Sequence, residues 1–196
     1  MEREFKWRAD AALQQAALDR LTPHAAAPLR TLTMDARYYD SPDGALRARK
    51  IGLRLRLENG RAVCCMKLRT APAAGLHEHE EYEADADTLT DGLAALPAVG
   101  APADLCHSLA NGPLVEIAHV CFTRRALTVT ADGCTAELAL DTGTLGREGR
   151  TQPLCEIELE YKSGDKDAFL ALGRLLSDAL GLVPEPLSKL ARASAC

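Results

Sequence analysis

The opening stretch Glu2-Arg3-Glu4-Phe5-Lys6 decides how the rest of the chain is read. Taken as a β-strand, it sends alternate side chains to opposite faces. Glu2, Glu4 and Lys6 then share one face, and Arg3, Phe5 and Trp7 share the other. Two carboxylates and an ammonium in a row suit either a wet sheet surface or a site for metal ions and anions. For a single strand the wet surface is the commoner explanation. The recurrence of the pattern downstream changes the balance.

Working outward, residues 9–21 read as an amphipathic helix, with Asp10 as N-cap, Leu13, Ala17 and Leu21 as its apolar stripe and Pro23 beyond its end. A strand is expected over 31–40, then a turn at Ser41-Pro42-Asp43-Gly44. The strict alternation Leu53-Arg54-Leu55-Arg56-Leu57-Glu58 runs into Asn59-Gly60 and then into 61–69, a strong hairpin signal. Pro72-Ala73-Ala74-Gly75 reads as a loop before a strand over 77–85. Residues 87–113, broken by Pro97 and Pro102, read as one or two short helices outside the sheet. Strands resume over 114–130 and 135–141, joined at Asp132-Gly133. A glycine-rich loop (Gly143, Gly146, Gly149) is expected before a last strand over 154–161. A helix starting at Ser163 or Asp165 runs to about Leu180 with Phe169, Leu172 and Leu176 inward, and 186–195 reads as a short final helix.

The count comes to about eight strands joined mostly by tight turns, an even number that permits an antiparallel barrel. The expected class is α+β: an eight-stranded antiparallel β-barrel with helices packed outside. The 196 residues suit one domain. Composition is that of an ordinary soluble protein, 47% hydrophobic and 26% charged. A net charge of −5 argues against general nucleic-acid binding. The charged N-terminus lacks a signal peptide's apolar region, and no apolar run approaches the roughly 20 residues of a membrane span. A cytosolic location, with no membrane or nucleic-acid partner, is therefore expected. The seven cysteines form no Cys-x-x-Cys pair and read as small apolar residues in strands.

Sorting each strand by parity gives one charged face after another. Arg54, Arg56 and Glu58 oppose leucines, Lys67 opposes Met66 and Leu68, and His79, Glu81 and Glu83 share a face. Glu137 and Asp141 oppose Leu138 and Leu140, and Glu156, Glu158 and Glu160 oppose Ile157 and Leu159; Arg124 also faces away from the apolar set. A half-exposed sheet also alternates. Here, however, the polar positions are nearly all charged, and they divide by strand into cations and acids. The row Glu156, Glu158, Glu160 puts like charges about 7 Å apart, which is costly unless cations offset it. Inside a barrel such charges need ions beside them. Arginine and lysine suit phosphate oxygens. Clustered carboxylates suit Mg²⁺ or Mn²⁺. Together they describe a pocket for a metal-complexed polyphosphate.

With Glu2-x-Glu4-x-Lys6, the chain resembles the CYTH superfamily of triphosphate tunnel metalloenzymes. The likeness continues through 38–43, Leu53-Arg54-Leu55-Arg56, Lys67, Gly75-Leu76-His77, Glu81, Arg124, Leu140-Asp141, Cys155 to Glu160 and Leu187-Ser188-Lys189. It is closest to the bacterial inorganic triphosphatases, which often carry a helical CHAD domain afterwards. None follows within 1–196, so a single CYTH domain is expected, stand-alone or excised. The resemblance implies an eight-stranded tunnel closed by a C-terminal plug helix, working on a small-molecule triphosphate as monomer or homodimer. It implies phosphate binding by Lys6, Arg54, Arg56, Lys67 and Arg124, with Lys189 reaching into the tunnel end. It implies metal ligation by Glu2, Glu4, Glu156 and Glu158, with Glu81 and Asp141 near a second metal that orients water. Glu81, Asp141, Glu158 and Lys189 would then be catalytic. Thiamine triphosphate, a nucleoside triphosphate, ATP cyclisation, or polyphosphate binding without turnover are the alternatives. One position departs: His79 stands where the family usually has arginine, which is expected to weaken phosphate binding there or make it pH-dependent.

Overall fold

The computed structural model describes residues 2–69, 76–147 and 149–196. Its strands are β1 (Glu2–Arg8), β2 (Arg30–Asp40), β3 (Ile51–Glu58), β4 (Arg61–Arg69), β5 (Leu76–Asp85), β6 (Val115–Ala131), β7 (Cys134–Arg147), β8 (Arg150–Gly164) and the two-residue β9 (Val183–Pro184). The order is β5-β4-β3-β2-β6-β7-β8-β1, every pair antiparallel, and β1 pairs with β5 to close an eight-stranded barrel. The opening strand makes the seam: residues 2–5 pair with β5 and residues 4–8 with β8. β9 lies outside the closed set, against Trp7 and Arg8 beyond the end of β5's pairing.

Two hairpins follow from turn chemistry. Asn59-Gly60 and Asp132-Gly133 both have positive φ at both positions (50° and 87°, 49° and 81°), the geometry whose twist matches antiparallel strands. The glycine-rich loop expected before residue 154 is mostly strand. β7 continues to Arg147 and β8 begins at Arg150. A Cβ at Gly143 would collide with the Cys121 carbonyl and Phe122 on β6, and one at Gly146 with the Arg150 carbonyl on β8. These glycines permit close backbone approach within a strand. Only Gly149, with φ 80°, serves the turn. The loop expected at 72–75 lies outside the described residues.

Helix α1 (Ala11–Leu21) is capped by Asp10, whose carboxylate accepts the Leu13 N–H at 2.8 Å. The turn at 41–44 leads into an unanticipated single-turn helix, α2 (Ala45–Ala48). Buried Asp40 holds it by accepting the N–H groups of Ser41, Leu46 and Arg47. The middle segment forms α3 (Leu89–Ala95) and α4 (Ala103–Asn111). Asp165, not Ser163, caps α5 (Lys166–Leu180), since β8 still runs through Ser163. The final helix α6 is confined to Lys189–Ala193 and capped by Ser188. Among the described residues, no helix is long and apolar enough to cross a membrane.

The outward faces make two apolar layers. Phe5, Trp7, Leu138, Leu140, Ile157 and Leu159 pack under α1 and α5, and Leu53, Cys64 and Met66 pack under α3 and α4. A third cluster, including Met34, Tyr38, Val120, Phe122 and Leu145, packs on Leu190 and Ala193, so α6 plugs the barrel. Burial pushes the Cys64 thiol up to about 12, which fits an inert core residue. At the first layer, Gly173 of α5 lies where a Cβ would enter the Phe5 ring, itself stacked on Trp7 at 5.4 Å. Gly173→Ala is therefore expected to destabilise the protein by about 1–3 kcal/mol despite its better helix propensity. A lower urea midpoint at unchanged m-value would show it; an equal or higher midpoint would contradict this packing.

Candidate active site

The inward faces enclose a cavity of about 360 Å³. β1 contributes Glu2, Glu4 and Lys6; β3 contributes Arg54, Arg56 and Glu58; β4 contributes Lys67; β5 contributes His77, His79, Glu81 and Glu83. Arg124, Glu137, Glu158 and Glu160 come from β6, β7 and β8, and Lys189 from the plug helix. Thus the period-2 alternation of the sequence becomes the charged wall of a tunnel.

Near α6 the carboxylates of Asp141, Glu156 and Glu158 each bring an oxygen within 4.8 Å of the others. Four cations meet them. Arg124 grips Asp141 with both arms of its fork (2.8 and 2.7 Å) and reaches Glu158 at 2.6 Å. Lys189 touches Asp141 at 2.8 Å, Glu158 at 2.9 Å and also Glu156. Lys6 lies 3.1 Å from Glu4 and 3.2 Å from Glu158. Arg192 meets Glu156 at 2.6 Å. Burial and the neighbouring Glu158 raise the Glu156 pKa, which Lys189 only partly offsets. Burial also works against ionised Glu158, yet Lys189, Lys6 and Arg124 together hold its carboxyl well below the usual range. Lys189 is held well above the ordinary lysine value by the same carboxylates, against its own burial.

A second group lies on β1, β3, β4 and β5. Lys67 joins Glu2 (2.6 Å) to Glu81 (3.2 Å), Arg54 meets Glu81 and Glu83, and Arg56 meets Glu58 and Glu83. The Cys65 thiol donates to Glu81 at 2.9 Å. Burial pushes the Glu2 carboxyl up to about 8, against the pull of Lys67 and with help from a hydrogen bond to Glu81. The folded chain therefore keeps a proton that the unfolded chain releases above about 4.5; this contribution is full below that pH and lost as pH rises to about 8. The Nε atoms of Arg54 and Arg56 and Nδ1 of His79 are buried without a hydrogen-bond partner among the described residues. The two arginine Nε–H groups, obligate donors left open in this way, call for an acceptor from outside the chain.

All the residues expected in the site face the cavity or bond to groups that do. They do not form one cluster. Asp141, Glu156 and Glu158 converge, whereas Glu81 converges with Cys65 and Glu83, and Glu4 with His77 and His79. Besides Cys65, which reads in the sequence as a plain apolar strand residue, three contributors were not anticipated. Arg192 lies three residues beyond Lys189, on the same face of α6, and that spacing is a legible signal. His77 is held through Nε2 by the Glu185 carbonyl at 3.0 Å. Gln14 of α1 donates to the carbonyls of Asp141 and Glu156 and accepts from Thr142, fixing the backbone beneath two of the carboxylates. Neither of the last two contacts leaves a mark in local sequence.

Comparisons with known proteins identify the family and support the fold. The model of the CYTH domain matches residues 1–194, and the chain belongs to the CYTH family. The inorganic triphosphatase of Haemophilus influenzae is 30% identical over 138 residues, which cover 67% of this chain and 37% of that protein. The chain thus spans little more than a third of that relative's length. A Hippeastrum adenylyl cyclase candidate, described as having a dominant triphosphatase activity, superposes with a TM-score of 0.66 at 18% identity, covering 100% of this chain and 96% of its own. A Pyrococcus horikoshii protein does so at 0.61 with 20% identity, covering 98% and 97%. At those identities the two structures speak for the fold.

Proposed function

We propose that the protein is a divalent-metal-dependent triphosphatase that hydrolyses inorganic tripolyphosphate to pyrophosphate and phosphate. The observation that carries this reading is the pair of buried, open Nε donors of Arg54 and Arg56 in a cavity that is also lined by Glu158, the member of the three-carboxylate cluster that reaches it. A linear polyanion fills the first need and brings metal ions to the second. Lys6, Arg54, Arg56, Lys67 and Arg124 would bind the phosphoryl oxygens, the arginines through their forks and the lysines as point charges. Glu2, Glu4, Glu81, Asp141, Glu156 and Glu158 offer the hard oxygen donors that suit Mg²⁺ or Mn²⁺. When bound, such ions would supply Lewis-acid charge and lower the pKa of an attacking water. Glu158 and Lys189 would set the charge at the plugged end, and Glu81 and Asp141 would orient water from opposite groups. The chemistry is positioning and charge neutralisation. Of the two aromatic rings among the described residues that line the cavity, Tyr38 and Phe122, the Phe122 ring already lies under Lys189 (5.2 Å) and Arg124 (5.7 Å), which leaves it no free face for a base there.

The test is phosphate release from tripolyphosphate, ATP and thiamine triphosphate, each with Mg²⁺ and with Mn²⁺. Rapid release from tripolyphosphate alone supports the proposal. Tight binding without release would make the protein a polyphosphate-binding module, and preference for another substrate would replace tripolyphosphate. A pH dependence follows as well. A metal that takes the Glu2 carboxylate displaces a proton held up to about 8. Mn²⁺ affinity is therefore expected to rise by up to about tenfold per pH unit toward that value and then level off. Titration calorimetry at several pH values would measure this, and Glu2→Gln should flatten the rise. A wild-type affinity independent of pH would exclude Glu2 as a ligand.

A further inference from the structure

Where β1 and β5 close the barrel, Glu4 pairs in register with His77, and His79 lies one step along the same inward face. All three side chains are more than nine-tenths buried. A carboxylate oxygen of Glu4 and one nitrogen from each imidazole lie within 4.8 Å of one another, with Glu4 Oε1 3.8 Å from His79 Nε2. The two rings are 5.9 Å apart and tilted by 59°, so they do not stack on each other.

His77 carries a further sign. Its Nε2 meets the Glu185 carbonyl at 3.0 Å, and since a carbonyl only accepts, that nitrogen bears the proton. The other nitrogen of the neutral ring is then a lone-pair donor. A ring fixed in this manner by a backbone carbonyl is the usual support for a metal-ligating histidine. His79 adds a buried Nδ1 with no partner among the described residues. An arginine here would have bound anions only, whereas an imidazole can ligate a cation. Lys6 shares Glu4, but it also holds Glu158 at 3.2 Å, so it keeps a partner if a cation takes the Glu4 oxygen.

We propose that Glu4, His77 and His79 form a two-nitrogen, one-oxygen seat in the tunnel for a borderline first-row divalent ion, of Fe²⁺, Co²⁺ or Zn²⁺ chemistry, in preference to Mg²⁺. Imidazole favours such ions, and Mg²⁺ prefers oxygen ligands and keeps its waters. This rests on the triphosphatase reading only in taking the tunnel as a place for divalent ions. The seat shares no ligand with the all-carboxylate cluster of Asp141, Glu156 and Glu158, to which Lys6 links it, and it takes Glu4 out of the oxygen set for Mg²⁺ or Mn²⁺. The tunnel would thus carry two kinds of metal site, one of hard oxygens and one with nitrogen.

The experiment loads the full chain with one equivalent of Co²⁺ and records its paramagnetic proton NMR spectrum. A His119→Gln, Cys121→Ser background removes the outer trio of Asp35, His119 and Cys121, which could also take this ion. Coordinated histidines should give two strongly shifted, exchangeable imidazole N–H signals that survive excess Mg²⁺. The His77 signal should exchange slowly because its N–H is buried against Glu185. His77→Gln and His79→Gln should each remove one signal and weaken Co²⁺ binding at least about tenfold. His79→Arg should remove the same signal as His79→Gln. Absence of shifted histidine signals in the starting protein, or their persistence in the variants, would overturn the seat. The spectrum needs no turnover, so signals in a protein that fails to cleave tripolyphosphate would sink the triphosphatase reading alone, and brisk Mg²⁺-supported cleavage without signals would sink the seat alone.

Discussion

Glu4→Ala is expected to slow tripolyphosphate hydrolysis by about 10³-fold while leaving the protein folded. Glu4 is 5% exposed and holds Lys6 at 3.1 Å beside the cavity. Its carboxyl is held low: burial and the nearby Glu158 carboxylate push its pKa up, but Lys6, the His79 imidazole at 3.8 Å, and Lys67 outweigh them. It is therefore ionised throughout the working pH range and ready to bind a cation. Alanine removes that charge from the seam of β1, where the carboxylate cluster and the histidine pair both draw on it. The fold survives because Lys6 retains Glu158 at 3.2 Å, so no buried ammonium is left without a partner. The loss should thus lie in kcat/KM, measured by phosphate release, with a melting temperature within about 5 °C of the parent. Activity within about tenfold of the parent would remove Glu4 from the metal set.

The elements of this site differ in how plainly the sequence announces them, and the reason is range. Strand parity is a two-residue rule, so Glu2, Glu4 and Lys6, or Arg54 and Arg56, are assigned to one face from their immediate neighbours. Asn-Gly and Asp-Gly carry their own left-handed geometry, so two of the hairpins are local as well. The glycines at 143 and 146 misled because their role is set by other strands: they make room for the backbone of Cys121, Phe122 and Arg150. Composition alone reads them as loop. The same limit hid α2, whose N–H groups depend on the buried carboxylate of Asp40. It also hid His77 and Gln14, whose partners lie more than 100 positions away. Residue types foretold a mixed pocket of cations and carboxylates. Their division into separate groups, with Glu81 and Asp141 in different ones, depends on barrel closure and on where α6 docks.

That docking sets up the largest stability effect. Lys189→Met keeps the length of the side chain and removes a charge that Asp141, Glu156 and Glu158 share. Asp141 and Glu156 are 0% exposed, so neither can turn to water for compensation. Arg124 still holds Asp141 and Glu158, and Arg192 still holds Glu156, but the cluster then carries one more net negative charge in a low-dielectric interior. Breaking a buried pair from one side typically costs about 3–5 kcal/mol. For a chain of this length that is a fall in Tm of roughly 6–20 °C. The sign of the pH dependence is fixed by the two partners. Lys189 has a raised folded pKa, so its contribution is fully present below the ordinary lysine value and is not lost near neutrality. Glu156 is already raised by burial, and losing the ammonium raises it further. A carboxyl with a raised folded pKa favours the fold below its unfolded value and loses that favour as pH rises. The penalty of Lys189→Met should therefore be smallest in acid, where Glu156 takes a proton, and grow toward neutral pH. Thermal melts of parent and variant across that range would measure the gap. A gap that stays constant or narrows with rising pH would mean that Lys189 braces α6 by packing alone, with the carboxylates neutralised by Arg124, Arg192 and Lys6.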